Sequence, residues 1–250
     1  MAVLQSEAIV LRRMRYGEEH LLVRALTATE GPLTVMLRNT LRGRRLPMAA
    51  RLCYPGARLL LQWRRGGGKG WRYLTGAESL EPQYQSFFQP ERLAQITFIA
   101  QCLDEFLPQD HPCEPEYYTL ASEYLRYVEN NPPDSTLPLR FIASLCRIAG
   151  IAPVSAPPRE GMVFDLSEAR WMPEGVVPRL PLRKDLSEAW MELFSGGKLE
   201  GLSPMNRQAL LSALVQFITL HHRRDFSLSV PDVFKTIFSS HGAHSVRSEA

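Results

Sequence analysis

The chain has 250 residues, 45% of them apolar and 22% charged, and a formal net charge of +3. This is the make-up of a globular protein with length for one or two domains and a sizeable core. No run approaches the ~18 apolar residues of a membrane helix, and Met1–Gln5 has neither the basic nor the apolar region of a signal peptide. The expectation is a cytoplasmic protein with no membrane partner. Cys53, Cys102, Cys113 and Cys146 are widely spaced and never form a CxxC pair. They read as isolated thiols of a reducing compartment, with Cys102 and Cys146 on apolar helix faces.

The net charge conceals an asymmetry. Residues 1–80 hold fourteen basic and five acidic residues, a net of +9, while residues 81–250 hold fifteen and twenty-one, a net of −6. A basic segment joined to a mildly acidic one points to a polyanionic partner for the first. Thirteen of the fourteen cations are arginine, suited to bidentate phosphate contacts and to stacking on bases.

In chain order, Ala8 and Val10, then Leu22, Arg24 and Leu26, follow the period of two of half-buried strands, with Gly17 at the turn between them. Thr29-Glu30-Gly31-Pro32 marks the next turn and Leu33–Arg38 a third strand. Asn39–Arg51 is the densest basic segment: Arg42, Arg44, Arg45 and Arg51 face no offsetting acid. Arg58–Trp63 and Trp71–Thr75 are two more strands, joined by the glycine-rich tip Arg64–Gly70. Five short strands followed by helical periodicity predict an α+β protein, in which a five-stranded barrel of the OB-fold type over residues 1–80 precedes an all-helical domain over residues 81–250.

Residues 81–90 form the hinge. Leu93–Leu107, Tyr117–Val128 and Leu137–Ala149 carry helical stripes, with Gly150 placed as the residue after the third helix. Residues 151–184 are rich in proline and lack helical period, so they read as a long irregular segment with room for a short hairpin. Leu186–Phe194, Ser203–His222 and Val230–Phe238 complete the helices, with Ser203-Pro204 as a cap and first-position pair.

Catalytic chemistry finds no support. Gly66–Gly70 lacks the GK[ST] ending of a phosphate loop and lies between two strands, so it reads as a hairpin tip. His221 and His222 are adjacent and point roughly 100° apart on a helix, which suits a boundary position or an accessory DNA contact better than chelation. Asp104-Glu105 and Glu114/Glu116 have the spacing of a solvated helix face, and no nucleophile motif appears. Tyr16, Trp63, Trp71 and Tyr73 lie on or beside barrel strands. Their roles stay open: stacking on bases, or closing the barrel core or packing on the helical domain.

The run Glu7-Ala-Ile-Val-Leu-Arg12, then Tyr16-Gly-Glu18, Leu21-Leu-Val23, Leu26-Thr27 and Gly31, resembles in order and spacing the opening of the RecO family of bacterial recombination mediators. Arg64–Glu78 resembles that family's hairpin and its exit into a helical domain. Phe141–Pro153 resembles the helix and turn before the family's metal-binding segment, and Val163–Glu168 resembles the variant without the metal. Where the family usually carries a Lys-Gly pair this chain has Asn39-Thr40, and Arg38, Arg42, Arg44 and Arg45 keep the charge. Family members often hold a structural zinc through four cysteines in the region matching residues 154–184. This chain has no cysteine or histidine there, so no metal site is expected. Met162–Leu166 and Ala169–Met172 are apolar enough to pack without one.

The resemblance implies a mediator that is not an enzyme and needs no cofactor. Such a protein binds single- and double-stranded DNA, anneals complementary strands, acts with RecR, and helps load RecA onto strands coated by single-strand-binding protein, at the nucleoid. Charge nominates the DNA contacts: Arg12, Arg13, Arg15, Arg24, Arg38, Arg42, Arg44, Arg45, Arg51, Arg64, Arg65 and Lys69. Cations on one barrel face release counterions from two strands and lower the repulsion that opposes their pairing. Two other readings share the barrel and its charge. One is a general single-stranded nucleic-acid-binding module, which predicts no annealing and no complex with RecR. The other is a structural adaptor for an acidic protein, which predicts weak binding to any oligonucleotide.

Overall fold

The computed structural model describes residues 2–38, 40, 46–66, 70–81, 89–109, 111–153, 161–173, 175–197, 199, 201–222, 226 and 228. The chain divides into two compact units, Met1–Pro133 and Asp134–Ala250. The first holds β1 (Leu4–Tyr16), β2 (His20–Thr27), β3 (Gly31–Leu37), α1 (Met48–Leu52), β4 (Arg58–Arg65), β5 (Arg72–Ser79), α2 (Pro90–Phe106) and α3 (Pro115–Asn130). Its strands close into a barrel in the order β1-β2-β3-β5-β4, antiparallel except for β3 and β5. This is the five-stranded OB-type barrel read from the sequence. Contact groups α2 and α3 with the barrel, so the break in compactness comes after Pro133 and not where the strands end.

The barrel interior is filled by Ala8 and Val10 of β1, Leu21, Val23 and Ala25 of β2, Leu33, Val35 and Leu37 of β3, and Leu59, Leu61 and Trp63 of β4, with Ala50 and Cys53 at α1. On β2 this is the opposite parity to the one expected. Leu22, Arg24 and Leu26 are buried too, but on the outer side, where Arg24 donates to the Leu107 carbonyl and pairs with Asp104 of α2 at 3.0 Å. A strand buried on both faces loses the alternation that would reveal which face is the core. Asp104 is 8% exposed, so the expectation of a solvated carboxylate at this position is corrected.

β1 changes parity within its own length. The pairing with β2 shifts between Val10 and Arg12, leaving Leu11 as the extra residue of a bulge. Before it, Val10 opposes core-facing Ala25; after it, Arg12 opposes outward Arg24 and Arg13 opposes core-facing Val23. Bulges re-aim side chains in this way. Here Arg12, Met14 and Tyr16 turn to the outer side, and the Arg13 guanidinium reaches the barrel end, where it donates to the Ala50 carbonyl at 2.8 Å.

The helical cover is tied by close backbone approach and by arginine. Gly56 has φ +80°, and a Cβ there would lie 2.1 Å from Cγ2 of Ile96 on α2. Arg92 of α2 donates to the carbonyls of Val128, at 2.6 Å, and Glu129, neutralising the carbonyl end of α3. Proline opens α2 and α3, where its missing N–H costs nothing.

The second unit holds α4 (Leu137–Ile148), β6 (Val163–Asp165), β7 (Arg170–Met172), a 3-10 turn (Lys184–Leu186), α5 (Ser187–Ser195) and α6 (Pro204–His221). Gly150, at φ +69°, follows α4, and the Ile151 N–H bonds back to the Cys146 carbonyl at 3.0 Å, as expected of that position. Ser203 caps α6, accepting from the Asn206 N–H at 3.1 Å. The helix expected over Val230–Phe238 lies outside the described residues.

The proline-rich segment is anchored rather than loose. β6 and β7 form a hairpin, and Leu180–Leu182 adds to it through the Leu166 N–H to the Leu180 carbonyl and the Leu182 N–H to the Phe164 carbonyl. Phe164 is fully buried against Trp171 and Trp190, with ring centroids 5.2 and 5.3 Å away. Asp165, also fully buried, accepts from the Ser167 hydroxyl at 2.6 Å and from the N–H groups of Ser167, Glu168 and Arg179 at 2.8, 3.3 and 2.6 Å. Burial pushes its carboxyl up, but the Ser167 hydroxyl and the backbone donors outweigh that and hold it below the usual carboxylate range. His221 closes the same segment with Nε2 2.7 Å from the Leu166 carbonyl, a boundary role.

Two outcomes follow. Gly56→Ala should lower stability by about 2 kcal/mol or more, from a left-handed backbone plus overpacking; an unchanged urea midpoint would refute that packing. Asp165 binds a proton less readily folded than unfolded. Its stabilisation is therefore complete above the unfolded pKa, about 4, and is lost as pH falls through the lower folded value. Asp165→Asn should reduce the urea midpoint at pH 7 and flatten its decline in acid.

Candidate nucleic-acid interface

Twelve cations stood as candidate DNA contacts, and the structure separates them. Arg12, Arg13, Arg15, Arg38, Arg51, Arg64 and Arg65 are exposed. Arg24 is 6% exposed, and its guanidinium is held by Asp104 and the Leu107 carbonyl; this corrects its place among the candidates, since it cannot leave the interior for a phosphate without stranding a buried carboxylate. Arg42, Arg44, Arg45 and Lys69 lie outside the described residues. Arg58, which was not a candidate, is 4% exposed and pairs with Glu81.

Three of the exposed cations, Arg38, Arg64 and Arg65, come together because of how β3, β4 and β5 meet. β3 runs out at Leu37 just before Arg38, while β5 starts beside it, with Val35 opposite Arg72 and Met36 opposite Tyr73. On its other edge β5 pairs Tyr73 with Arg64 and Arg72 with Arg65. Two cations from the end of β4, one from β5 and one from the end of β3 therefore converge. The Arg38 guanidinium lies 3.7 Å over the Tyr73 ring, a cation–π contact that orients it while leaving its N–H edge to solvent. Arg65 and Arg72 both approach Glu30 at 3.7 Å, at distances and exposures where an ion pair contributes little.

The aromatics divide as well. Trp63 is 1% exposed and fills the barrel core. Tyr16 is 45% exposed, and its ring lies 5.6 Å from that of Trp71 at 51°. Arg72, counted in the basic charge of residues 1–80 but not among the candidate contacts, is thus the cation of this surface that the sequence reading missed, and of the aromatics left open it is Tyr16 and Trp71 that stand outside the core. The signal for Tyr16 is the β1 bulge, which no periodicity announces.

Arg12 belongs to both groups. Its side chain is 51% exposed, yet its Nε lies 3.1 Å from Asp104. Burial raises the Asp104 carboxyl above its ordinary value, against the pull of Arg24 and then Arg12. Cys53, Cys102 and Cys146 are buried, and burial pushes the Cys53 thiol up to about 11 and the Cys146 thiol to about 12, far from the reactive thiolate range. Among the described residues no group of three or more His, Cys, Asp or Glu stands as a metal site, and no helix is long and apolar enough to cross a membrane.

Residues 1–83 match the family described as Recombination protein O N terminal. The chain is also 28% identical over 153 residues to the DNA repair protein RecO of Christiangramia forsetii. That match covers 60% of this chain and 63% of the relative, so it spans about three fifths of the length of the curated relative.

The separation of structural from free cations is testable. Arg24→Ala should cost roughly 3 kcal/mol of stability, the low end for breaking a buried pair because Arg12 still reaches Asp104, whereas Arg64→Ala should stay within about 0.5 kcal/mol of the parent. Equal urea midpoints for the two variants would refute the assignment.

Proposed function

We propose, from the premise that the N-terminal match and the RecO relative together support the RecO family, that this chain is a recombination mediator in DNA repair. In this reading it binds single- and double-stranded DNA through residues 1–80, promotes annealing, and acts with RecR in loading RecA onto strands covered by single-strand-binding protein. Residues 81–250 carry the protein contacts. It works as a binding protein without catalysis, in the cytoplasm at the nucleoid.

The observation that carries this reading is the cluster of Arg38, Arg64, Arg65 and Arg72 around Tyr73 at one end of an OB-type barrel. Cations spaced on a closed barrel neutralise phosphates without the protein having to order itself first. Each phosphate contact releases counterions, which favours binding and lowers the repulsion between two strands brought to one surface.

The test is fluorescence anisotropy of a labelled single-stranded oligonucleotide over a salt series. With ~4–6 phosphates neutralised, log affinity should fall against log salt with a slope of roughly −3 to −4, and alanine at Arg38, Arg64 and Arg65 together should shrink the slope by roughly 2. Accelerated annealing of complementary strands and a complex with RecR should accompany binding. Binding without annealing leaves a general nucleic-acid-binding module, and no binding at low salt overturns the reading.

A further inference from the structure

We propose that Tyr16 and Trp71 form a stacking platform for unpaired nucleobases, so that the barrel holds single strands by their bases as well as their phosphates. This rests on the nucleic-acid reading above and adds the feature of the ligand that the site selects.

The two rings are brought together by features with no evident role in the core. Tyr16 ends β1, where the Leu11 bulge has turned its side chain to the outer face. Trp71 immediately precedes β5 and is half-buried. Their centroids are 5.6 Å apart and their planes diverge by 51°, so the rings frame an open angle instead of covering each other. Neither belongs to the barrel core cluster, and Tyr16 keeps nearly half of its surface in water. The neighbouring Gly17 leaves open space: nothing lies within 4 Å of where a Cβ would stand. Tyr73 differs, because the Arg38 guanidinium already covers one of its faces.

A flat, uncharged π-face beside exposed arginines suits an unstacked base whose phosphates contact those arginines. A duplex keeps its bases stacked inside and presents only phosphates to such a surface. The platform therefore discriminates single strands from duplexes, which charge alone does not.

The test compares four probes on the full chain: a single-stranded oligonucleotide, the same length with abasic sites, a duplex, and free phosphate as a control. Of the other tryptophans, Trp63 and Trp190 are each 1% exposed and Trp171 is half-buried against Phe164 on β7, so with Trp171→Phe as the reference variant, quenching of tryptophan emission by the single strand should fall sharply in Trp71→Phe and persist in Trp171→Phe. Tyr16→Ala and Trp71→Ala should each weaken single-strand binding roughly 5- to 150-fold while leaving duplex affinity and the salt slope unchanged. Tyr16→Phe should retain most of the affinity, which controls for folding. The parent protein should bind the abasic strand about as weakly as the alanine variants bind the intact one. Equal losses on single strand and duplex, or parent affinity undiminished on the abasic strand, would overturn the platform while leaving the nucleic-acid reading in place. Failure of every probe to bind would overturn both.

Discussion

A buried carboxylate governs how the barrel is covered. Asp104 meets Arg24 at 3.0 Å and Arg12 at 3.1 Å, and Arg24 also donates to the Leu107 carbonyl at the end of α2. The attraction is strong in a low-dielectric interior, but the desolvation of both ions offsets much of it. The pairing therefore contributes more to the seating of α2 than to net stability. A helix shifted along β2 would leave a guanidinium and a carboxylate buried without each other, which is far costlier than misplacing an apolar contact. The same carboxylate reaches Arg12, so the cover and the cationic surface share one anchor.

The bulge at Leu11 divides β1 between two tasks. Its first half lines the core through Ala8 and Val10 and carries α2 and α3 on its other side, where the Tyr118 hydroxyl donates to Glu7 at 2.8 Å. Its second half presents Arg12 and Tyr16 outward. Cations that stabilise the fold are thereby separated from cations left to water. Arg24, Arg58 and Arg92 are each at or below 6% exposure and are occupied by carboxylates or helix-end carbonyls. Arg38, Arg64 and Arg65 stay at the surface, where holding them together is tolerable because water and counterions screen their repulsion until a polyanion replaces the counterions.

In the second unit, Asp165 organises the segment between α4 and α5. Four donors converge on it, and the hairpin they close buries Phe164 beside Trp171 and Trp190. A carboxylate with its lone pairs filled and an aromatic cluster worth about 1.5–3 kcal/mol per buried ring are a sufficient local core for a stretch otherwise rich in proline.

The five barrel strands and the longer helices α2 to α6 were legible from the chain, because period, turn glycines and helix-opening prolines act locally; the five-residue α1, inside a stretch read as a basic connection, was not. So were the charge asymmetry of residues 1–80, the caps at Ser203 and Gly150, and the resemblance carried by Glu7–Gly31. What only the tertiary structure decided was orientation. β2 is buried on both faces, so Leu21, Val23 and Ala25 compete equally with Leu22 and Leu26 for the interior. The bulge flips parity without changing composition. The burial of Arg24 and Asp104 depends on partners far apart in sequence, and Asp165 adds to its local Ser167 and Glu168 donors the Arg179 N–H from the far side of the hairpin. Whether an arginine is a structural ion or a free one is set by what packs above it, and a linear pattern carries no record of that.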